Sequence, residues 1–415
     1  MTIVPTARLI TATALSALLI AGLPALALPA VALLLAIAAL DFLLSRRLLS
    51  TVHLGPLEPI RTYLGVPTPL TLPVSAPPGA RLSLALPPEL ELAAETGTSW
   101  QFTPRERGRY AIVALAIQAP SRLGLWELRR RFTPDGEIRV YPRVRGAHEM
   151  KALARALAGS RHIRQVGRGR EFEKLREYSP GDSFQDVHWK ATARRGAPVT
   201  RTYQLERTQE VFCLIDCGRL QSRRQEGQTV LDWSLTAALH LSLAADRQGD
   251  RLGLLAFSDR VHGFVRPSNG AAHFAACQEM LYPLRPSAAV TDFAEAATYL
   301  RARLPRRALV IVFTALDDRA SAEPFARAAR LLAQRHLVAV VAARPPGSAP
   351  LFSGPEVLDD QAIYSALGGH LIWRGLRQLQ LDLGHQGIRL AFEEPREMGL
   401  RALAMYEEIR QRQLV

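Results

Sequence analysis

Hydrophobic and polar positions obey three different rules along this chain. From Leu9 to Leu40 no charged residue occurs, and Asp41 is the only one before Arg46. At ~1.5 Å per residue that run is too long for one helix across a ~30 Å hydrocarbon core. Gly22 and Pro24 interrupt it, so the pattern predicts a transmembrane helical hairpin within residues 1–49, with spans at 9–23 and 25–44. Arg8 precedes the first span and Arg46 and Arg47 follow the second, which puts both ends and the main domains in the cytoplasm. The competing readings are a cleaved signal peptide, whose apolar core runs only ~7–15 residues, and a single anchor that exports the remainder.

Over residues 50–142 the period changes. Prolines recur at 56, 59, 67, 69, 73, 77, 78, 87 and 88, and no helical stripe survives among them. Leu82, Leu84 and Leu86 alternate along one stretch and Val113, Leu115 and Ile117 along another, with Pro77-Pro78-Gly79 and Asp135-Gly136 as turns. This predicts a small β-sandwich. From residue 208 to 415 apolar strands alternate with amphipathic helices. Strands are expected at 211–216, 251–258, 261–265, 308–316, 337–343 and 388–393, with helices at 228–248, 293–303, 321–335 and 398–412 among those between them. Such alternation builds an α/β domain with a mostly parallel, Rossmann-like sheet, and the tight pair "RLGLLAFSDRVHGFVRP" adds an antiparallel edge strand. Ligands of open sheets bind at the carboxyl ends of strands, and Asp216 ends the first.

Residues 143–207 fit none of these rules. They carry 15 Lys and Arg against 7 Asp and Glu, more than half of the surplus that gives the 415-residue chain its net charge of +14. Within them "LREYSPGDSFQDVHWKATARRG" concentrates Arg176, Tyr178, Gly181, Asp182, Asp186, Trp189, Lys190, Arg194 and Arg195. Arginines left without a local acid are free to meet an acidic protein surface, phosphate or lipid head groups. An internal salt-bridged brace between the β module and the α/β domain is the competing role, with Arg201 and Tyr203 leading into the sheet. Specific nucleic-acid binding is not expected, because the chain lacks both an aromatic-lined RNA-recognition sheet and a basic recognition helix with a dimer seam.

Catalytic motifs are missing. No HExxH occurs, no glycine is followed by lysine as a Walker loop requires, and the stretch from Gly181 lacks the second glycine of a nucleophile elbow. Cys213, Cys217 and Cys277 show no CxxC spacing and read as reduced thiols. An enzyme is therefore not expected. A metal-dependent hydrolase, or a nucleic-acid or anionic-lipid binder centred on residues 175–201, is the alternative.

The hairpin "GLLAFSDRV" after a strand ending in aspartate resembles a von Willebrand factor A domain. Together with "VYPR", "GREFEKLREYSPGDSFQDVHWKATARRG" and the β module, it resembles the bacterial membrane proteins of the domain-of-unknown-function family fifty-eight. The resemblance implies a cation site for Mg²⁺ or Mn²⁺ built from a DxSxS signature, a threonine and a later aspartate. Mapped here, Asp216 and Thr291 match, whereas Gly218, Leu220 and Ala315 stand where oxygen ligands belong. The expectation is a degenerate site without a cofactor, with Asp216 as an N-cap or loop anchor. The resemblance further implies an inner-membrane scaffold or adaptor, in contact with membrane lipids, whose partner is a MoxR-type AAA+ ATPase.

Overall fold

The structure, a computed structural model, describes residues 2–22, 27–48, 52–96, 98–144, 171–179, 184–204, 209–317, 319–351, 353 and 360–412. It divides into two compact units, residues 1–143 with 281–283, and residues 144–280 with 284–415.

The first unit opens with strand β1 (Thr2–Pro5) and helices α1 (Ala7–Gly22) and α2 (Ala27–Ser45). Nine strands follow: β2 (Ile60–Tyr63), β3 (Thr68–Thr71), β4 (Arg81–Ala85), β5 (Leu90–Thr96), β6 (Ser99–Pro104), β7 (Gly108–Ala111), β8 (Ala114–Pro120), β9 (Trp126–Phe132) and β10 (Glu137–Tyr141). They form sheets in the orders β1-β9-β8-β4, β2-β10-β7 and β3-β6-β5 around a core that includes Leu70, Trp100, Phe102, Leu115, Ile117 and Ile138. Prolines lack the N–H that a ladder needs, which keeps these strands short. The alternating stripes meet as cross-strand pairs, Leu82 opposite Ile117 and Leu84 opposite Leu115. Val113 lies just before β8 and is exposed instead.

The expected transmembrane hairpin is corrected here: among the described residues no helix is long and apolar enough to cross a membrane. With 16 residues, α1 rises only ~24 Å. The residues before it are a strand, β1, paired antiparallel with β9 from Thr2–Arg129 to Pro5–Trp126. The last turns of α2 are built into the β module. Asp41 is buried and accepts hydrogen bonds from the Ser121 hydroxyl (2.5 Å), the Leu123 N–H (3.0 Å), the Leu125 N–H (3.3 Å) and the Ser45 hydroxyl (3.3 Å). Trp126 Nε1 donates to the Ala38 carbonyl at 2.9 Å. Burial alone would raise the Asp41 pKa, but those four donors outweigh it and hold the carboxyl below its ordinary value. A count of apolar residues cannot register a carboxylate whose donors lie some 80 positions away.

In the second unit, β11 (Glu171–Glu177) and β12 (Val199–Gln204) form a two-stranded antiparallel sheet, with helix α3 (Trp189–Arg195) between them. Arg201 and Tyr203 therefore lie on a strand of this small sheet and not of the large one. The large sheet contains β13 (Glu210–Asp216), β14 (Arg251–Phe257), β15 (Val261–Ser268), β16 (Leu309–Ala315), β17 (Leu337–Ala343) and β18 (Arg389–Glu393), in the order β15-β14-β13-β16-β17-β18. Every pairing is parallel except β14–β15, the edge hairpin. Helices α4 (Val230–Arg247), α5 (Ala271–Leu281), α6 (Phe293–Arg303), α7 (Arg319–Ala333), α8 (Asp360–Gly384) and α9 (Met398–Gln411) complete the unit. The start of α4 is set by a capping box between Thr229 and Asp232. Phe212, Leu214, Val310, Val312, Val338 and Val340 share one core with Phe293, Phe325 and Leu379 of α6, α7 and α8. Because β13 is flanked by β14 on one side and β16 on the other, its carboxyl end is the point where strand order reverses.

Candidate functional site

At that switch point Asp216 is 2% exposed. Its Oδ1 accepts hydrogen bonds from the Thr291 hydroxyl (2.6 Å) and the Gly218 N–H (2.8 Å), and its Oδ2 accepts one from the Thr314 hydroxyl (2.7 Å). Backbone bonds bring Thr291 into place. The Ser287 N–H donates to the Cys217 carbonyl (2.6 Å), the Arg219 N–H to the Ala289 carbonyl (3.0 Å), and the Asp292 N–H to the Ser258 carbonyl (2.8 Å). Asp292 then caps α6 by accepting from the N–H groups of Ala294 and Glu295. Thr314 arrives by register: Ile215 pairs with Phe313, so Asp216 and Thr314 stand level on adjacent parallel strands and point to the same face.

Burial pushes the Asp216 carboxyl above its ordinary pKa, against the pull of the Thr291, Gly218 and Thr314 hydrogen bonds. The buried Gln221 amide pulls in the same direction from close by, although it makes no hydrogen bond of good geometry. A Cβ at position 218 would collide with Thr291 Oγ1 and lie 3.1 Å from Asp216 Oδ1, so the glycine leaves the space that lets Thr291 reach the carboxylate. Leu220 sits on the short turn Arg219–Ser222, and Ala315 is buried one residue past Thr314, on the opposite face of the strand. Asp317, close in sequence, is paired with Arg223 at 2.7 Å. Asp318 lies outside the described residues. Among the described residues no group of three His, Cys, Asp or Glu is placed to hold a metal ion.

The basic signature forms a second surface. Gly181 and Asp182 lie outside the described residues, whereas Arg176 is on β11 opposite Thr200, and Asp186 ends the turn Phe184–Asp186. The Tyr178 ring packs 5.6 Å from that of Phe184, and the Tyr178 N–H donates to the Pro198 carbonyl. His188 caps α3, its Nδ1 accepting from the Ala191 N–H at 3.1 Å, and Gly196 closes the helix in the left-handed region. The Thr192 hydroxyl accepts from the Val199 N–H, tying α3 back to β12. This framework holds Phe184 and Trp189 73% and 67% exposed, with Lys190, Arg194 and Arg195 exposed on the same short stretch. Lys190 and Arg194 are one turn apart on one face of α3.

Sequence reasoning located Asp216 and Thr291 but missed Thr314, whose role follows from strand register alone. The only local hint is that Thr314 is polar inside an otherwise apolar strand.

A six-stranded sheet in this order, with an antiparallel edge hairpin and an aspartate at the switch point, is that of a von Willebrand factor A-like domain. The family described as "Protein of unknown function DUF58" matches residues 174–362, which take in the basic signature and the larger part of the A-like domain. The chain is also similar to "Uncharacterized protein YeaD" of Bacillus subtilis (strain 168), 26% identical over 125 residues. That alignment covers 28% of this chain and spans only 30% of the length of the curated relative. Among solved structures it is similar to the conserved hypothetical protein BatB from Bacteroides thetaiotaomicron (16% identity, 49% of this chain and 99% of that one, TM-score 0.33). Another similar structure is an aerotolerance-related membrane protein from Bacteroides fragilis NCTC 9343 (15% identity, 49% and 99%, TM-score 0.33).

Proposed function

We propose that this protein is a binding adaptor and not an enzyme, and that it docks an acidic protein surface through residues 184–195. The observation that carries this reading is the pair of exposed rings, Phe184 and Trp189, set among Lys190, Arg194 and Arg195. Large aromatics and arginines are the side chains that dominate protein–protein interfaces, and exposed cations select an acidic partner and accelerate encounter. A MoxR-type AAA+ ATPase is the partner proposed, on the family resemblance. The donor set around Asp216 does not fit a divalent cation, which needs about six oxygens: both threonine hydroxyls are turned toward the one carboxylate, and Gly218, Leu220 and Ala315 contribute no side-chain oxygen.

The same reading places the protein on the cytoplasmic face of the bacterial inner membrane as a peripheral, non-spanning protein. It is supported by Cys213, Cys217 and Cys277, which form no disulfide among the described residues, and by the exposed Leu33, Leu35, Leu40 and Leu43 of α2. Carbonate washing of membranes should release it, and retention in the pellet would refute this location.

Binding of the full chain to a purified MoxR-type ATPase, measured by calorimetry at two salt concentrations, tests the docking. Binding should weaken as salt rises and should fall further in Arg195→Ala and Trp189→Ala, with unchanged circular dichroism. Absence of binding, or binding indifferent to both substitutions, defeats the reading. So does preferential binding of RNA or anionic vesicles, or a metal-dependent hydrolysis lost in Asp216→Asn.

A further inference from the structure

A cleft of about 640 Å³ opens beside the carboxyl ends of β17 and β18, within the A-like unit. Its wall includes Arg344, directly after β17, Glu393 at the end of β18, Arg377 and Trp373 of α8, Arg401 of α9, and Ser348. Among the described residues three guanidinium groups thus face one carboxylate, a cationic balance.

Little of that positive charge is used up locally. Among the described residues Arg344 donates one N–H to the Phe392 carbonyl (3.2 Å), Arg377 one to the Gln380 side chain (2.6 Å), and Arg401 approaches Glu393 at 3.5 Å. Each guanidinium carries five donors, so most of them remain for a ligand. Glu393 is the one acidic side chain among the described residues of that wall. Burial raises its pKa against the pull of Arg401 and Arg344, with Glu397 adding to the rise. Beside the polar Ser348, Ser353 and Gln380, the wall has an apolar and aromatic part, Leu376, Ala391, Phe392 and the Trp373 indole, on which His370 stacks from one side (5.6 Å between centroids). The volume lies within the range of small-molecule sites, ~300–1,000 Å³.

We propose that this cleft binds a small phosphate-bearing ligand, its phosphate oxygens held by Arg344, Arg377 and Arg401 and its organic part laid along Trp373 and Phe392. Planar guanidinium forks match phosphate oxygens in bidentate geometry, and a dianion answers the surplus of two positive charges that three arginines hold over Glu393. The cleft lies at the edge of the sheet, away from the switch point at β13, but on the carboxyl-end side on which open α/β sheets take their ligands. The site is independent of the docking surface at residues 184–195, and neither proposal needs the other.

Calorimetric titration of the full chain with inorganic phosphate, adenosine monophosphate and glycerol 3-phosphate, at fixed ionic strength and with sodium chloride as control, tests it. One-to-one binding of at least one of them is expected, weakened tenfold or more by Arg344→Ala and by Arg401→Ala. The Glu393→Gln substitution should tighten binding several-fold, an outcome that damage to the fold cannot imitate. A phosphate ester that binds at least tenfold tighter than inorganic phosphate, with a tryptophan fluorescence change lost in Trp373→Phe, identifies an organic phosphate as the ligand. Equal affinities identify free phosphate. No binding by any of the three, arginine variants that bind like wild type, or weaker binding by Glu393→Gln would overturn the proposal.

Discussion

Replacing Thr314 with valine removes one donor from Asp216 while keeping the shape of the side chain, and so isolates what holds the switch point together. Thr314 is fully buried and Asp216 nearly so, with 2.7 Å between Oγ1 and Oδ2. A hydrogen bond to an ionised group contributes about 1.5–3 kcal/mol, and because valine fills nearly the same volume little is added for a cavity. For a unit of this size each kcal/mol moves the melting temperature by about 2–4 °C, so Thr314→Val should melt about 3–12 °C lower. Thermal unfolding of the full chain, followed by near-ultraviolet circular dichroism, reads the shift. Thr314→Ser, which keeps the hydroxyl, should lose markedly less. The pH dependence supplies a second criterion. Since burial puts the folded pKa of Asp216 above its ordinary 3.8, folding takes up a proton between the two values. The stability gained in this way is complete below 3.8 and is lost as pH rises through the folded value. A protonated carboxyl supplies its own hydrogen, so the valine deficit should shrink on acidification through that window. A valine variant that melts within 1 °C of wild type, or a deficit that does not change with pH, would show that Thr314 does not hold the Asp216 charge.

Asp41→Ala leaves two hydroxyls and two backbone N–H groups without their acceptor, at about 1–3 kcal/mol for each one that stays unpaired, and should lower the melting temperature of the β-rich unit. Its folded pKa lies below 3.8, so wild type loses this contribution as pH falls below 3.8 through the folded value, and denaturant titrations of the alanine variant should lack that acid limb. His336 is buried, neither ring nitrogen has a hydrogen-bond partner among the described residues, and burial, Arg335 and Arg301 all depress its pKa. Its contribution is therefore complete above the ordinary 6.5 and lost as pH falls through the depressed folded value, and His336→Leu should flatten stability as pH falls below 6.5. An unchanged slope would contradict this.

Much of the architecture could be read from local period. The strand pattern expected at 337–343 coincides with β17 (Leu337–Ala343), and the helix expected at 293–303 with α6 (Phe293–Arg303). A fully buried parallel strand is a continuous apolar run, and a helix start carries its own cap, as Asp292 does for α6. The edge hairpin β14–β15 was legible for the same reason, since a tight turn between two apolar runs is a local signal. Helix α8, by contrast, buries only Gly369, Leu376, Leu379 and Leu383 along its 25 residues, too sparse a stripe to announce itself.

What the sequence by itself determined is thus most strands of the large sheet with several of its helices, and the loss of oxygen ligands at Gly218, Leu220 and Ala315, because both depend on residue type and near neighbours. Tertiary structure decided the rest. The hydroxyl that meets Asp216 Oδ2 comes from Thr314, 98 positions away, and is selected by strand register. The end of the apolar N-terminal run is tied to the β module by Asp41, whose donors Ser121, Leu123 and Leu125 lie far along the chain. The arginine cleft is assembled from residues that follow a strand, line two helices and end another strand. Hydropathy reports how much a segment gains by leaving water. It carries no information about which distant donor will satisfy a buried charge, and that choice is made only when the chain packs.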